Sequence, residues 1–208
     1  MARSRSNEHD AVKQTILETA AKLFAVKGFA SASMNEIADG AGISKAGVYH
    51  YFESKTEILR VMLTEHLNAV SELADEAFGS SEAPRDKFVT FTRLLIESYT
   101  RSTSRHQHAV LVRDIDFLPP KDREFIVSAE RRIIRSVERL LKSIHPELIE
   151  RSYLTRPLAM LFFGMINWTD NWYSEKGRLS PEDLATLAAE LFLGGVEHAI
   201  VSATQAVG

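Results

Sequence analysis

The run Lys45-Ala46-Gly47-Val48-Tyr49-His50-Tyr51 carries an ammonium, a phenol and an imidazole at helical spacing, with two very small residues among them. These groups suit recognition. Lys45, Tyr49 and His50, with Ser33, Ser44 and Lys55 to either side, can donate hydrogen bonds to phosphate oxygens, which fix register and affinity but carry no sequence information. Ala46 and Gly47 let a helix backbone approach base edges in a major groove, so Lys45, Ala46, Gly47 and Tyr49 are the candidates for reading them. Bond-breaking chemistry finds no comparable support. The chain has 7 histidines and 28 carboxylates, so nominal acid–base pairs exist, but His106 and His108 are two apart and do not share a helix face. No zincin, nucleophile-elbow, P-loop or dinucleotide-binding pattern occurs. No catalytic residue, metal site or cofactor is expected.

The elements around that run can present it. Ser33 and Glu36 form an S-x-x-E capping box, so a helix begins at Met34, with Ile37, Ala38 and Ala41 as its apolar face. Gly40 and Gly42 lie where the chain must turn. Ser44 caps a second helix, and Ile43 and Val48 close a hydrophobic staple across the cap. Ser54 and Glu57 form another box and open a third helix at Lys55. Two short helices joined by a tight turn, the second small at its start and polar or aromatic outward, describe a helix-turn-helix reader of double-stranded DNA. Tyr51 and Phe52 are assigned to the core of this head.

Composition sets the frame. The chain has 208 residues, is 45% hydrophobic and has no cysteine, which excludes a disulfide framework, a thiolate metal site and a cysteine nucleophile. The start MARSRSNEHD has no apolar stretch of a secretory signal, and no apolar run approaches the roughly 18 residues that span a membrane. A cytoplasmic protein without membrane contact is expected. The net charge of −3 argues against non-specific coating of nucleic acid; residues 1–60 carry +1 and residues 61–208 carry −4. That contrast allows a local DNA-facing patch and supports little more.

In chain order, Arg3 and Arg5 suggest a short flexible basic arm over residues 1–9. Asp10 is a plausible cap for a first helix with Ile16, Ala20, Leu23 and Phe24 on one face and Gly28 as its stop. One helical pattern runs from Lys55 to about Phe78. Further helices are predicted over 86–102, 105–117, 121–144, 147–174 and 182–202, with breaks at Gly79 to Pro84, Pro119-Pro120, His145-Pro146 and Gly177 to Pro181. No segment alternates as a strand would. The fold class is therefore all-α: a three-helix DNA-binding head over residues 10–53 and a helical body over residues 54–208.

The stretch from Phe24 through Gly28-Phe29, Ile37-Ala38, Ala41-Gly42-Ile43-Ser44, Val48-Tyr49-His50-Tyr51-Phe52 and Lys55 resembles the DNA-binding motif of the TetR family of bacterial transcriptional regulators. The resemblance is strong over residues 10–60 and weaker beyond. It implies a DNA-contact role for Tyr49, His50 and Lys55, and a homodimer, joined through the last two long helices, whose two heads read a palindromic operator. On the final helix an apolar stripe of Leu184, Leu187, Ala188, Leu191, Phe192, Gly195 and Ala199 is the candidate interface, with Gly194-Gly195 allowing close backbone approach.

Effector residues are less legible. Phe91, Phe117, Phe125 and Phe163 sit at helical spacing, a pattern more often core than pocket. The segment from Gly164 to Tyr173 differs: Trp168 and Trp172 fall one turn apart beside Asn167 and Asn171, and asparagine among aromatics needs hydrogen-bond partners. That combination suits an elongated amphipathic ligand. The segment, with Leu179 to Leu184 and Phe192 to Gly195, and the run Leu111 to Leu118 followed by Arg131-Arg132, is similar to TetR-type regulators of fatty-acid and aromatic-acid degradation, phenylacetate repressors first among them. That likeness implies an acyl-CoA effector, for whose phosphates Arg113, Arg131, Arg132 and Arg135 are candidates. Solvated helix faces paired with Glu130 and Glu138 explain those arginines equally well. The alternatives are a TetR-type sensor of hydrophobic drugs controlling an efflux gene, and a helical adaptor whose head binds protein.

Overall fold

The computed structural model describes residues 2–100, 102–174 and 176–205; the side chains of Arg3 and Arg5 lie outside the described residues. Among the described residues there are nine α-helices, three short 3-10 turns and no strand. Nor, among these residues, is any helix long and apolar enough to cross a membrane. The chain divides into two compact units, Met1–Leu67 with Ser102–Val127, and Asn68–Arg101 with Ser128–Gly208. By packing, then, the first unit takes in more than the head expected at residues 10–53.

The first unit holds α1 (Ala2–Lys27), α2 (Met34–Ala41), α3 (Lys45–Tyr51), the start of α4 (Lys55–Gly79), α6 (Ser102–Asp114) and the start of α7 (Pro120–Ile144). Its core is the apolar stripe of α1, with Ile16, Leu17, Ala20 and Phe24 fully buried, meeting Ile37, Val48, Ile58, Leu59, Met62 and Val110. Helix α1 begins at Ala2 and not at the expected cap Asp10; residues 2–9 contain no proline or glycine to stop it. The expected flexible arm is therefore helical in its backbone. Gly28 ends α1 with φ +84°, its N–H on the Phe24 carbonyl at 2.8 Å, a left-handed position that favours glycine.

The second unit holds the remainder of α4 and α7, with α5 (Pro84–Thr100), α8 (Ser152–Trp168) and α9 (Pro181–Gln205). Helix α9 lies along α5, joined by Phe88 stacked on Phe192 at 5.5 Å and by Arg85 paired with Glu190 at 2.7 Å. Pro84 opens α5 rather than breaking the chain before it, because proline at a first helical turn forfeits no hydrogen bond. The long helix predicted over 147–174 is shorter: a 3-10 turn at Pro146–Leu148 precedes α8, and another at Thr169–Asn171 ends it, where the Thr169 hydroxyl donates to the Ile166 carbonyl at 2.7 Å.

Candidate nucleic-acid interface

Helix α3 is short and cannot hold itself; its neighbours fix it. The Glu36 N–H donates to Ser33 Oγ at 3.2 Å and the Ser33 N–H to Glu36 Oε2 at 2.9 Å, so the capping box of α2 is complete. Lys27 reaches Glu36 from the end of α1 at 2.5 Å. That hydrogen bond, with those from Ser33, lowers the Glu36 carboxyl to about 2. Ser33 is thus occupied in the cap. Gly42 follows α2 with φ +68°, its N–H on the Asp39 carbonyl, and Ile43 N–H returns to Ala38. Only this second glycine turns the chain. Gly40 lies inside α2, and a Cβ there would stand 2.7 Å from Thr19 Cγ2 of α1. It is a close-approach glycine, which corrects the turn role expected of it.

Ser44 caps α3 by accepting from the Gly47 N–H at 3.0 Å, and Val48 is buried beneath. Ser44, Lys45, Ala46, Tyr49 and His50 are exposed and Gly47 half-buried, so the outward face holds the side chains expected on it. A Cβ on Gly47 would sit 3.3 Å from the Ser44 hydroxyl. Its smallness therefore also serves the cap.

Lys55 departs from expectation. Its ammonium donates to the carbonyls of Phe29 at 2.7 Å, Ala32 at 2.6 Å and Ala30 at 3.2 Å, and lies 4.5 Å from the centre of the Phe29 ring. A lysine has three donors. All three are directed at the α1–α2 loop rather than at an external phosphate, and Lys55 acts as a tie between α4 and that loop. At the same helix start the Glu57 N–H donates to Ser54 Oγ at 3.1 Å, while the Glu57 carboxylate takes the Glu53 N–H at 2.6 Å instead of the cap's own.

Three contacts escaped sequence reading. His9 of α1 packs on Tyr51 at 4.6 Å and edge-on to His50 at 6.4 Å, backing the end of α3. Arg113 at the end of α6 donates to Ala25 O at 3.0 Å, to Phe24 O and to Asp114, whose carboxylate accepts the Phe29 N–H at 3.3 Å. This corrects the ligand role expected of Arg113: its guanidinium caps α1. His66 of α4 faces His108 of α6 at 5.8 Å; burial, then the neighbouring imidazole, lowers His66 to about 3. Local spacing gives no sign of any of these, because the partners lie far apart in sequence.

The other ligand candidates scatter. Phe117 and Phe125 belong to the first unit and are half exposed, Phe117 against Phe29 at 5.0 Å. In the second unit Phe91 is fully buried against Phe78, which makes it core. Phe163 is half-buried beside Phe162. Asn167 accepts from the Tyr99 hydroxyl at 3.1 Å, the partner its chemistry requires. Trp168 and Trp172 do not stack, because α8 ends between them; they are 65% and 56% exposed. Asn171 is exposed and donates weakly to the Trp168 carbonyl at 3.5 Å. Arg132 is exposed on α7.

The stripe on α9 splits. Leu184 and Ala188 are buried within their own chain and Phe192 stacks on Phe88, so these do not form an outer face. Leu187, Leu191, Gly195 and Ala199 are exposed. A stripe this wide exceeds what one neighbour covers. Helix α8 adds an outward apolar face that sequence reading passed over: Tyr153, Met160, Leu161 and Trp168 are each at least half exposed.

Two family profiles match the chain: "Bacterial regulatory proteins, tetR family" over residues 16–62 and "Tetracyclin repressor-like, C-terminal domain" over residues 81–196. The chain is similar to the crystal structure of a TetR-family transcriptional regulator from Bordetella parapertussis, with 37% identity and TM-score 0.82, covering 88% of this chain and 94% of that one. It is 25% identical to the HTH-type transcriptional repressor KstR2 of Mycolicibacterium smegmatis, over 88% of this chain and 90% of the relative. The structure of AibR in complex with isovaleryl coenzyme A and operator DNA shares the fold at 24% identity and TM-score 0.75, covering 88% and 98% of the two chains.

Proposed function

Because this chain belongs to the TetR family of bacterial regulatory proteins, we propose that it is a ligand-responsive repressor that binds a palindromic operator as a homodimer and is released by an acyl-CoA-type effector. The observation that carries the DNA reading is the capped, outward face of α3, where Ser44, Lys45, Ala46, Tyr49 and His50 stand exposed on a helix anchored from behind. Lys45 and Tyr49 read base edges and phosphate, His50 contacts phosphate, and Gly47 permits approach. Lys55 supports that surface from within.

A palindrome requires two heads about one DNA turn apart. The exposed apolar faces of α8 and α9 are the surface we assign to the partner, with Leu161, Trp168, Leu187 and Leu191 at its centre; such faces on a soluble chain mark interfaces. This moves Trp168 from the ligand to the dimer. The effector class is supported by the fold shared with AibR, whose structure holds isovaleryl coenzyme A and operator DNA together. Release needs only that the effector favour a head spacing that misfits DNA, and its leverage is its differential affinity for the two states.

Fluorescence anisotropy on the chain's own upstream DNA, with and without isovaleryl-coenzyme A, tests the proposal. Operator binding that weakens on adding the thioester is expected. No binding to any upstream duplex would sink the regulator reading; binding indifferent to acyl-CoA species would remove the effector class and leave the regulator.

A further inference from the structure

Helix α7 carries Arg132, Arg135 and Arg139 at i, i+3 and i+7, which sets three guanidinium groups on one face over about 10 Å. They form one wall of a groove of about 370 Å³ whose other wall is Ser71, Ala74 and Asp75 of α4. A second hollow of about 230 Å³ continues along α7, sharing Ser136 and Arg139 with the first and adding Phe78 and Lys87. All of these residues lie in the second unit.

The carboxylate that helical spacing offers these arginines is used elsewhere. The one such carboxylate is Glu138, three residues beyond Arg135, and it accepts from Arg156 at 3.3 Å. Among the described residues Arg132 and Arg135 form no ion pair, and Arg139 donates to the Ser136 hydroxyl at 2.9 Å. Asp75, the carboxylate in the opposite wall, pairs with none of the three. Like charges three and four apart on a helix repel and destabilise it. Three of them in a concave wall form an electrostatic vacancy that an anion would relieve. Guanidinium forks match phosphate oxygens two at a time, and a row spaced by helix turns suits linked phosphates better than a single carboxylate. At the far end Lys87 is held by the Phe78 carbonyl at 2.9 Å, and Phe78 offers an apolar surface beside it.

We infer that the α4–α7 groove binds the phosphoanhydride of a nucleotide-type ligand, with Arg132, Arg135 and Arg139 on its phosphate oxygens and the hollow at Phe78 taking a less polar part. In the acyl-CoA reading above, on which this identification rests, the groove receives the diphosphate of coenzyme A.

Isothermal titration of the full-length chain with inorganic pyrophosphate, coenzyme A and isovaleryl-coenzyme A, in low salt, is the test. The double variant Arg135→Gln/Arg139→Gln changes exposed side chains, and Arg178→Gln is the control, an exposed arginine of the second unit outside both hollows. Wild type is expected to bind pyrophosphate and coenzyme A, the double variant to bind both at least about tenfold more weakly, the equivalent of one lost charge-assisted hydrogen bond, and the control to match wild type. Equal binding by the double variant, an equal loss in the control, or no binding of pyrophosphate and coenzyme A by wild type would overturn the groove. The two readings separate: isovaleryl-coenzyme A bound equally by wild type and double variant removes the groove and keeps the effector. Pyrophosphate binding lost in the double variant, with operator release indifferent to acyl-CoA, keeps the groove and removes the effector.

Discussion

Two lysines of the head do different work. Lys45 is exposed on the face proposed to meet DNA, whereas Lys55 is turned onto three loop carbonyls. Lys45→Ala should leave the melting temperature unchanged, weaken operator binding several-fold and reduce the salt dependence by about one counterion. Lys55→Ala should lower stability by about 1–2 kcal/mol, since it strands carbonyls that had a charged donor, and should weaken DNA binding only with that loss. Calorimetry and anisotropy on both variants separate the roles; a Lys55→Ala protein of full stability and reduced salt slope would restore a phosphate contact. The buried His66 makes a pH prediction. Its folded pKa, near 3, lies below the ordinary value of 6.5, so the unfolded chain binds the proton first. Stability is complete above pH 6.5 and declines as pH falls toward 3, by about 2 kcal/mol at pH 5. In His66→Leu the dependence of unfolding free energy on pH should flatten across that window by about 1.4 kcal/mol per pH unit, measured by urea titration.

The helix-turn-helix rests on two glycines with different tasks. Gly42 has φ +68° and open space around it, so Gly42→Ala should cost about 1 kcal/mol from backbone conformation alone, and no second substitution nearby should recover it. Gly40→Ala places a methyl 2.7 Å from Thr19 Cγ2 and should cost about 1–3 kcal/mol by overpacking. Thr19→Ser removes that methyl and should restore most of the loss. A double-mutant cycle without coupling between 19 and 40 would show that α1 and α2 separate freely. The Ser33–Glu36 capping box and the α3 cap were legible in sequence because each is a hydrogen bond between residues three apart. The role of Gly40 was not, because it depends on which residue of α1 lies opposite.

At the scale of the molecule, assembly is the decisive property. Leu161 and Leu191 are each 65% exposed on α8 and α9, and they stand at the centre of the surface proposed for the partner. Leu161→Asp and Leu191→Asp should each shift the protein from dimer to monomer in light scattering and weaken operator binding at least tenfold, because one head reads only half a palindrome. A dimer of unchanged mass in both variants would move the interface elsewhere.

The sequence by itself determined the helical class, the start of each reading helix and the chemistry of α3's outer face, because these follow from short-range caps and from the period of apolar residues. Only the tertiary structure decided which side of each wide apolar stripe is covered and which cation is already occupied. Arg113, Lys55 and Arg132 are alike as residue types. One caps α1, one ties α4 to a loop, and one lines a groove with no ion pair among the described residues. What separates them is the presence of a carbonyl or carboxylate brought close by long-range folding, and no local spacing encodes that.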